Sequence, residues 1–143
     1  MVHNTVDLSN SSPDQELIEQ LELATTDLLW FSEAEYPFQV IYWHDAASFT
    51  QATLLEEFAF PSDTKTVTKD LAAFFTNAIK QESWHNETEQ TQVARYQNLL
   101  NLLTENLENS NVYLLGDIEI SVYILGTTQH QAIAGLTTKI VAT

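Results

Sequence analysis

Hydrophobic residues recur at helical spacing in several parts of the chain. The first stripe runs from Leu17 to Leu28, and it follows a helix-start signal in which Ser12 can cap the helix and Pro13 suits its first position. Further stripes of this kind predict a short helix over residues 48–57 with Ser48 as its cap, a second over 71–79, and the longest over 88–107.

Other segments alternate with the period of a β-strand. Residues 38–43 are apolar on both faces, which predicts a strand covered on both sides. The remaining segments predict an edge strand over 64–68, a hairpin over 112–125, and a last strand over 132–141 with a bulge at Gly135. We therefore predict an α+β fold whose mostly antiparallel sheet ends in a C-terminal β-meander packed by helices.

Composition points to one globular domain with an unusual charge. The 143 residues predict a flexible N-terminus over 1–11 and a single domain over 12–143. Twenty acidic residues against five basic ones give a net charge of −15. Such a surface repels phosphate and anionic lipid, so we expect neither nucleic acid nor membrane as a partner. A basic protein would be attracted, although acidity that serves only solubility is the simpler alternative.

Cysteine usage and hydropathy bear on the compartment. The chain contains no cysteine, which excludes disulfides and thiolate metal sites and fits a reducing cytoplasm. No apolar stretch approaches the roughly 20 residues that span a bilayer. We expect a cytoplasmic protein.

The segment from Ser32 to Phe38 is the most informative for function. We predict a short loop between a helix and a strand, stiffened by Pro37, which presents Glu33, Glu35 and Tyr36. The two acids could bind a partner, act as a catalytic pair, or simply be solvated. Catalysis is the weakest interpretation, because nothing in their spacing separates their environments.

Two further features are candidates for partner contact. Trp84 lies in a polar segment, where it is either an exposed interface anchor or folded over the core. Thr143 follows the last predicted strand by only one or two residues, so we expect its α-carboxylate to be held near the sheet.

Histidines next to acids leave a metal-dependent enzyme as an alternative. His44-Asp45 and His85 with Glu87 are the possible ligands, but neither group has the paired-histidine spacing of a persuasive zinc site. We therefore predict no metal site in this chain.

Several segments together resemble the nuclease A inhibitor family of cyanobacteria, from about Ser12 to Thr143. The segments that carry the resemblance are Asp27-Leu28-Leu29, Ser32-Glu33-Ala34-Glu35-Tyr36-Pro37-Phe38, Trp84, Tyr96-Gln97-Asn98-Leu99-Leu100, residues 112–126 and residues 134–143. Residues 44–66 fit the family poorly, and Ala142 stands where the family has an acidic residue.

This resemblance implies an α/β/α-type sandwich that inhibits a sugar-nonspecific DNA/RNA endonuclease of the ββα-metal class, as a one-to-one heterodimer. It implies no catalysis and no cofactor in the inhibitor, since Mg²⁺ or Mn²⁺ belongs to the nuclease. The positions of Glu33 and the Thr143 carboxylate would lie near that metal, and Trp84 would lie in the interface. Glu35 and Tyr36 enter as neighbours of Glu33. An acidic interaction module for another basic protein remains the alternative.

Overall fold

The computed structural model describes residues 14–31, 34–43, 49–80 and 82–141. These residues form four helices, α1 (Gln15–Thr25), α2 (Gln51–Glu57), α3 (Leu71–Phe75) and α4 (Glu87–Asn106). They also form seven strands, β1 (Leu29–Phe31), β2 (Glu35–Pro37), β3 (Gln39–Trp43), β4 (Thr66–Asp70), β5 (Glu108–Leu115), β6 (Glu119–Thr127) and β7 (Ile133–Val141). None of the helices described is both long and apolar enough to cross a membrane.

Five of the strands make one sheet in the order β3-β7-β6-β5-β4, with every neighbouring pair antiparallel. The consecutive strands β5, β6 and β7 are the predicted C-terminal meander, and β4 is an edge strand as predicted. β1 and β2 pair only with each other, also antiparallel. The α+β prediction and the antiparallel sheet are thus confirmed.

Helices cover both faces of the sheet because its strands, including the edge strand β3, carry apolar residues on both sides. Val40 and Tyr42 of β3 belong to a core that includes residues of α1, α3 and α4, whereas Ile41 and Trp43 belong to a second core with α2. The alternation seen in residues 38–43 therefore separates two hydrophobic layers, as a strand covered on both sides must. This arrangement is the predicted α/β/α sandwich.

Some local predictions are wrong at their boundaries. α2 is capped by Thr50 and not by Ser48, since the Thr50 hydroxyl accepts from the Thr53 N–H at 3.1 Å and the Thr53 hydroxyl accepts from the Thr50 N–H at 2.7 Å. The helix predicted over 71–79 ends at Phe75. Ser12, Pro13 and Ser48 lie outside the described residues.

The predicted bulge at Gly135 is also wrong. Gly135 pairs in continuous register with Ile41 on one side and Leu125 on the other. A Cβ built at this position would overlap the backbone of Ile124, so glycine is required by close packing of the strands. The irregularity lies instead in β5, where the register shifts between Glu108 and Asn111.

A buried carboxylate joins α1 to the opposite end of the chain. Asp14 is 5% exposed, and its Oδ2 accepts from the Tyr42 hydroxyl at 2.8 Å and from the Thr128 hydroxyl at 2.9 Å. Its Oδ1 lies 2.8 Å from Nδ1 of His130. A charged group buried at this depth is tolerated because several polar groups satisfy it.

Substitution of this carboxylate tests that explanation. Asp14→Ala leaves the buried hydroxyls of Tyr42 and Thr128 without their acceptor, so we expect the free energy of unfolding to fall by about 2–3 kcal/mol. The exposed Glu19→Ala on the same helix is the control and should change it by less than about 0.5 kcal/mol. Urea denaturation of both variants measures the difference. Equal, small effects of the two substitutions would show that the hydrogen bonds of Asp14 make no net contribution to the free energy of unfolding.

Candidate functional site

The segment predicted as a stiff loop is a β-hairpin. Leu29 pairs with Pro37, Trp30 with Tyr36 and Phe31 with Glu35, so Glu35 and Tyr36 lie in strand β2 and not in a loop. Glu33 falls between the two strands in the sequence and lies outside the described residues. Glu35 is exposed, and Tyr36 is half-buried.

The hairpin is fixed to the end of β7. The Thr138 hydroxyl donates to the carbonyl oxygen of Pro37 at 2.9 Å and lies 3.3 Å from that of Tyr36. The Lys139 ammonium stands 6.0 Å from the centre of the Tyr36 ring and 3.5 Å from a Glu119 carboxylate oxygen. Because β7 runs on to Val141 past this contact, the hairpin lies beside the C-terminal part of β7. Thr143 itself lies outside the described residues.

Three consecutive residues of α4 bind the backbone of three other segments. An Arg95 Nη2 donates to the carbonyl oxygens of Ala24 at 2.9 Å and Thr26 at 2.7 Å, and so satisfies the end of α1. The Tyr96 hydroxyl donates to the carbonyl oxygen of Leu29 at the start of the hairpin. Gln97 Nε2 donates to the carbonyl oxygen of Ile79 at 2.9 Å, after α3. We call Arg95, Tyr96 and Gln97 the α4 clamp.

An aromatic cluster packs against Trp30 of the hairpin. The Trp30 ring stacks on Phe74 with centroids 4.6 Å apart and an interplanar angle of 14°. It meets Phe38, Phe75 and Tyr96 edge-to-face at 5.4–6.1 Å. Contacts of this kind add to the stabilisation from burial. They hold strand β1 in place although it has only three residues.

Trp84 lies on the segment between α3 and α4. It is 70% exposed, so it is not folded over the core. Its ring meets the His85 ring edge-to-face at 4.3 Å. The His85 Nδ1 accepts from the Glu82 N–H at 3.0 Å, which in the neutral ring places the proton on Nε2. Asn86 then caps α4 in a capping box with Glu89. These local hydrogen bonds hold the segment that carries the exposed tryptophan.

An open groove of about 640 Å³ lies between this segment and the hairpin. Trp30 contributes from the hairpin and His85 from the segment next to Trp84, which places the two predicted contact regions around one depression. The remaining lining residues come from α3, the turn after it, and α4, namely Phe74, Asn77, Ala78, Thr88, Glu89, Gln92, Val93 and Tyr96.

Burial and two nearby charges change the pKa of the Tyr96 hydroxyl. Burial raises the pKa of Tyr96 well above its ordinary value, the nearby Arg95 guanidinium lowers it by a smaller amount, and the Glu35 carboxylate raises it further. The Tyr96 hydroxyl therefore remains a hydrogen-bond donor to the hairpin throughout the physiological pH range.

Among residues 14–31, 34–43, 49–80 and 82–141, no three histidine or acidic side chains come together as a set of metal ligands. His85 and Glu87 are described and do not form such a set, whereas His44 and Asp45 lie outside these ranges. A second cleft, of about 520 Å³, lies by Asp14 and His130 at the opposite end of the strands.

The structure describes three of the five predicted contact residues. Glu35 and Tyr36 lie in strand β2, and Trp84 lies on the segment between α3 and α4. Sequence reasoning missed the α4 clamp and the contribution of Trp30. A usable signal existed for Tyr96, since a tyrosine among the leucines of a core stripe needs a partner for its hydroxyl.

Comparison with known proteins identifies the family. The sequence model described as nuclease A inhibitor-like protein matches residues 15–143, which is most of the chain. The chain belongs to the nuclease A inhibitor-like family. No curated protein matches it significantly. Membership confirms the resemblance found in the sequence and indicates a nuclease-inhibitor role.

The role of Tyr96 in stability can be tested by varying the pH. An unfolded tyrosine loses its proton near pH 10.0, whereas folded Tyr96 keeps it, so the free energy of unfolding falls as the pH rises above 10.0 toward the raised pKa. Tyr96→Phe also leaves the Leu29 carbonyl without its donor, which should cost about 1–2 kcal/mol below pH 10.

Denaturation of wild type and Tyr96→Phe from pH 7 to 11 makes the comparison. We expect a smaller alkaline loss in the variant, with the remaining loss including that from Tyr123, whose pKa is also raised by burial. Parallel curves for the two proteins would contradict the role given to Tyr96.

Proposed function

We propose that this protein inhibits a nonspecific DNA/RNA endonuclease of the ββα-metal class by filling its basic, metal-containing active site. The family match over residues 15–143 carries the proposal. The hairpin, the end of β7 and the Trp84 segment supply the contact surface, with Glu33, Glu35, Tyr36, Trp84 and Thr143 as its proposed contact residues.

The physical basis is competition for a phosphate site. A nuclease that accepts any sequence must bind the phosphate backbone, so its cleft presents cations and a metal ion. A carboxylate on a stable scaffold supplies negative charge at the same place but contains no phosphodiester bond to cleave. The inhibitor therefore acts as a DNA mimic that is not a substrate.

The described geometry supports a rigid presentation of that charge. Glu33 lies between β1 and β2 in the sequence, and both strands are held, β1 by the Tyr96 hydroxyl and β2 by Thr138. Little conformational entropy then remains to be lost by these two strands on binding, which favours affinity. We propose that Glu33 and the Thr143 carboxylate approach the nuclease's Mg²⁺ or Mn²⁺, in a one-to-one complex.

The other acids act at longer range. The net charge of −15 is distributed over many side chains, among them the exposed Glu16 and Glu19 of α1. Such charge increases the association rate with a cationic cleft more than it strengthens the final complex. Distributed charge would equally favour another basic partner, so an acidic interaction module is the second candidate.

Titration into a purified ββα-metal endonuclease separates the two candidates. We expect DNA cleavage to stop near one equivalent of the protein, and no loss of cleavage at large molar excess would reject the proposal for that enzyme. Glu33→Ala should weaken the binding free energy by roughly 2–5 kcal/mol, because a partner cation is left unpaired. Glu19→Ala, which removes the same charge from α1, should have a much smaller effect. Equal effects would mean that bulk charge alone explains binding.

The exposed tryptophan gives an independent test. Trp84→Ala should weaken inhibition by about 2 kcal/mol or more, as expected for a buried aromatic anchor of an interface. Its own folding stability should change little, because the side chain is largely exposed in the free protein. Leu23→Ala, at an exposed apolar side chain of α1, is the control. Similar inhibition constants for the two variants would remove Trp84 from the interface.

A further inference from the structure

We propose that the groove beside Trp84 receives an arginine side chain from the rim of the nuclease's active-site cleft. This inference rests on the proposed function and adds a second recognition element to it. The hairpin would engage the metal-containing centre of the cleft, while the groove engages a cationic side chain at its edge.

The aromatic lining of the groove suits a guanidinium group. Trp30 is a half-buried aromatic side chain of the groove and is held in place by its stacking on Phe74, whereas Tyr96, which also lines the groove, is only 4% exposed. A guanidinium is planar and weakly hydrated, so it packs on aromatic rings at a lower desolvation cost than an ammonium group. An arginine therefore matches this lining better than a lysine.

Carboxylates at the groove supply the complementary charge. Glu89 lines it, and the Glu89 carboxylate is oriented by the capping box, with Oε1 accepting from the Asn86 N–H at 3.0 Å. Glu35 of β2 is close enough for its charge to act on Tyr96. His85 Nδ1 accepts the backbone hydrogen bond from Glu82, so this nitrogen does not present a proton to the groove.

Other occupants fit the groove less well. A purely apolar side chain would remove water from the half-exposed Glu89 carboxylate without supplying a cation, and its one hydrogen bond from the Asn86 N–H would have to offset that cost. A second copy of this chain would bring another net charge of −15 to the same place. The single arginine of this chain, Arg95, already binds the carbonyl oxygens of Ala24 and Thr26. A cation from a basic partner can pack on the Trp30 ring and pair with the Glu89 carboxylate.

A matched pair of charge variants tests the groove. Glu89→Gln and Glu87→Gln each remove one negative charge from the first turn of α4, and glutamine preserves the capping box at position 89. Glu89 lines the groove and Glu87 does not. We expect Glu89→Gln to raise the inhibition constant against a ββα-metal endonuclease about tenfold and Glu87→Gln less than about threefold.

The identity of the occupant is tested on the nuclease. Each arginine at the rim of its cleft is replaced by glutamine, and each replacement is combined with Glu89→Gln in a double-mutant cycle. We expect one arginine whose replacement weakens inhibition by the wild-type chain but has little further effect on Glu89→Gln. A lysine→glutamine series measured in the same way is the comparison.

The outcomes separate this inference from the proposed function. If the wild-type protein inhibits and Glu33→Ala weakens inhibition, but no arginine couples to Glu89 or only a lysine does, the groove proposal is overturned and the inhibitor proposal stands. If the wild-type protein inhibits no nuclease of this class, both fall. Coupling to a single arginine supports both.

Discussion

The α4 clamp is the interaction on which the functional end of the molecule depends. Arg95, Tyr96 and Gln97 are consecutive, so they point in different directions around the helix and reach the end of α1, the start of the hairpin and the turn after α3. Each contact satisfies a backbone carbonyl at the end of a helix or strand or in the segment that follows it. A single rigid helix thereby fixes the relative positions of segments that are far apart in the sequence.

This constraint connects the fold to the proposed function. The hairpin and the Trp84 segment have little regular structure of their own, and short elements of that kind are marginal in isolation. Anchored to α4 and β7, they form the two sides of one groove. An inhibitor that presents fixed charges to a cationic cleft needs this rigidity more than it needs any one charge, because ordering a mobile loop would oppose binding.

Sequence patterns predicted the elements that large apolar surfaces define. The alternation from Phe38 to Trp43 and the long stripe of α4 both reflect burial, which periodicity reports directly. The hairpin was missed for a different reason. β1 and β2 have three residues each, which is too short for a period to show, and Pro37 favoured a loop. Their pairing depends on anchors at Tyr96 and Thr138 that lie far along the chain.

At the candidate site, too, some features could be predicted from the sequence, whereas others depend on contacts between distant segments. Trp84 stands out in the sequence because a tryptophan among polar residues lacks a core pattern, and the structure shows it exposed. The requirement for glycine at position 135 could not be read from the sequence, since it follows from the close approach of a neighbouring strand. The groove was equally hidden, because its lining residues come from segments that are far apart in the sequence. Glu33 and Thr143 stay predictions from the resemblance.

Hydrogen exchange of the free protein and of its complex with a ββα-metal endonuclease tests most directly whether the hairpin and the Trp84 segment act as one binding surface. We predict that amides in residues 29–37 and 82–86 gain protection together on binding, while the Thr128–Ala132 turn at the opposite end of the sheet keeps its exchange rates. Protection at that turn, with unchanged exchange in the hairpin, would contradict a binding surface formed by the hairpin and the Trp84 segment.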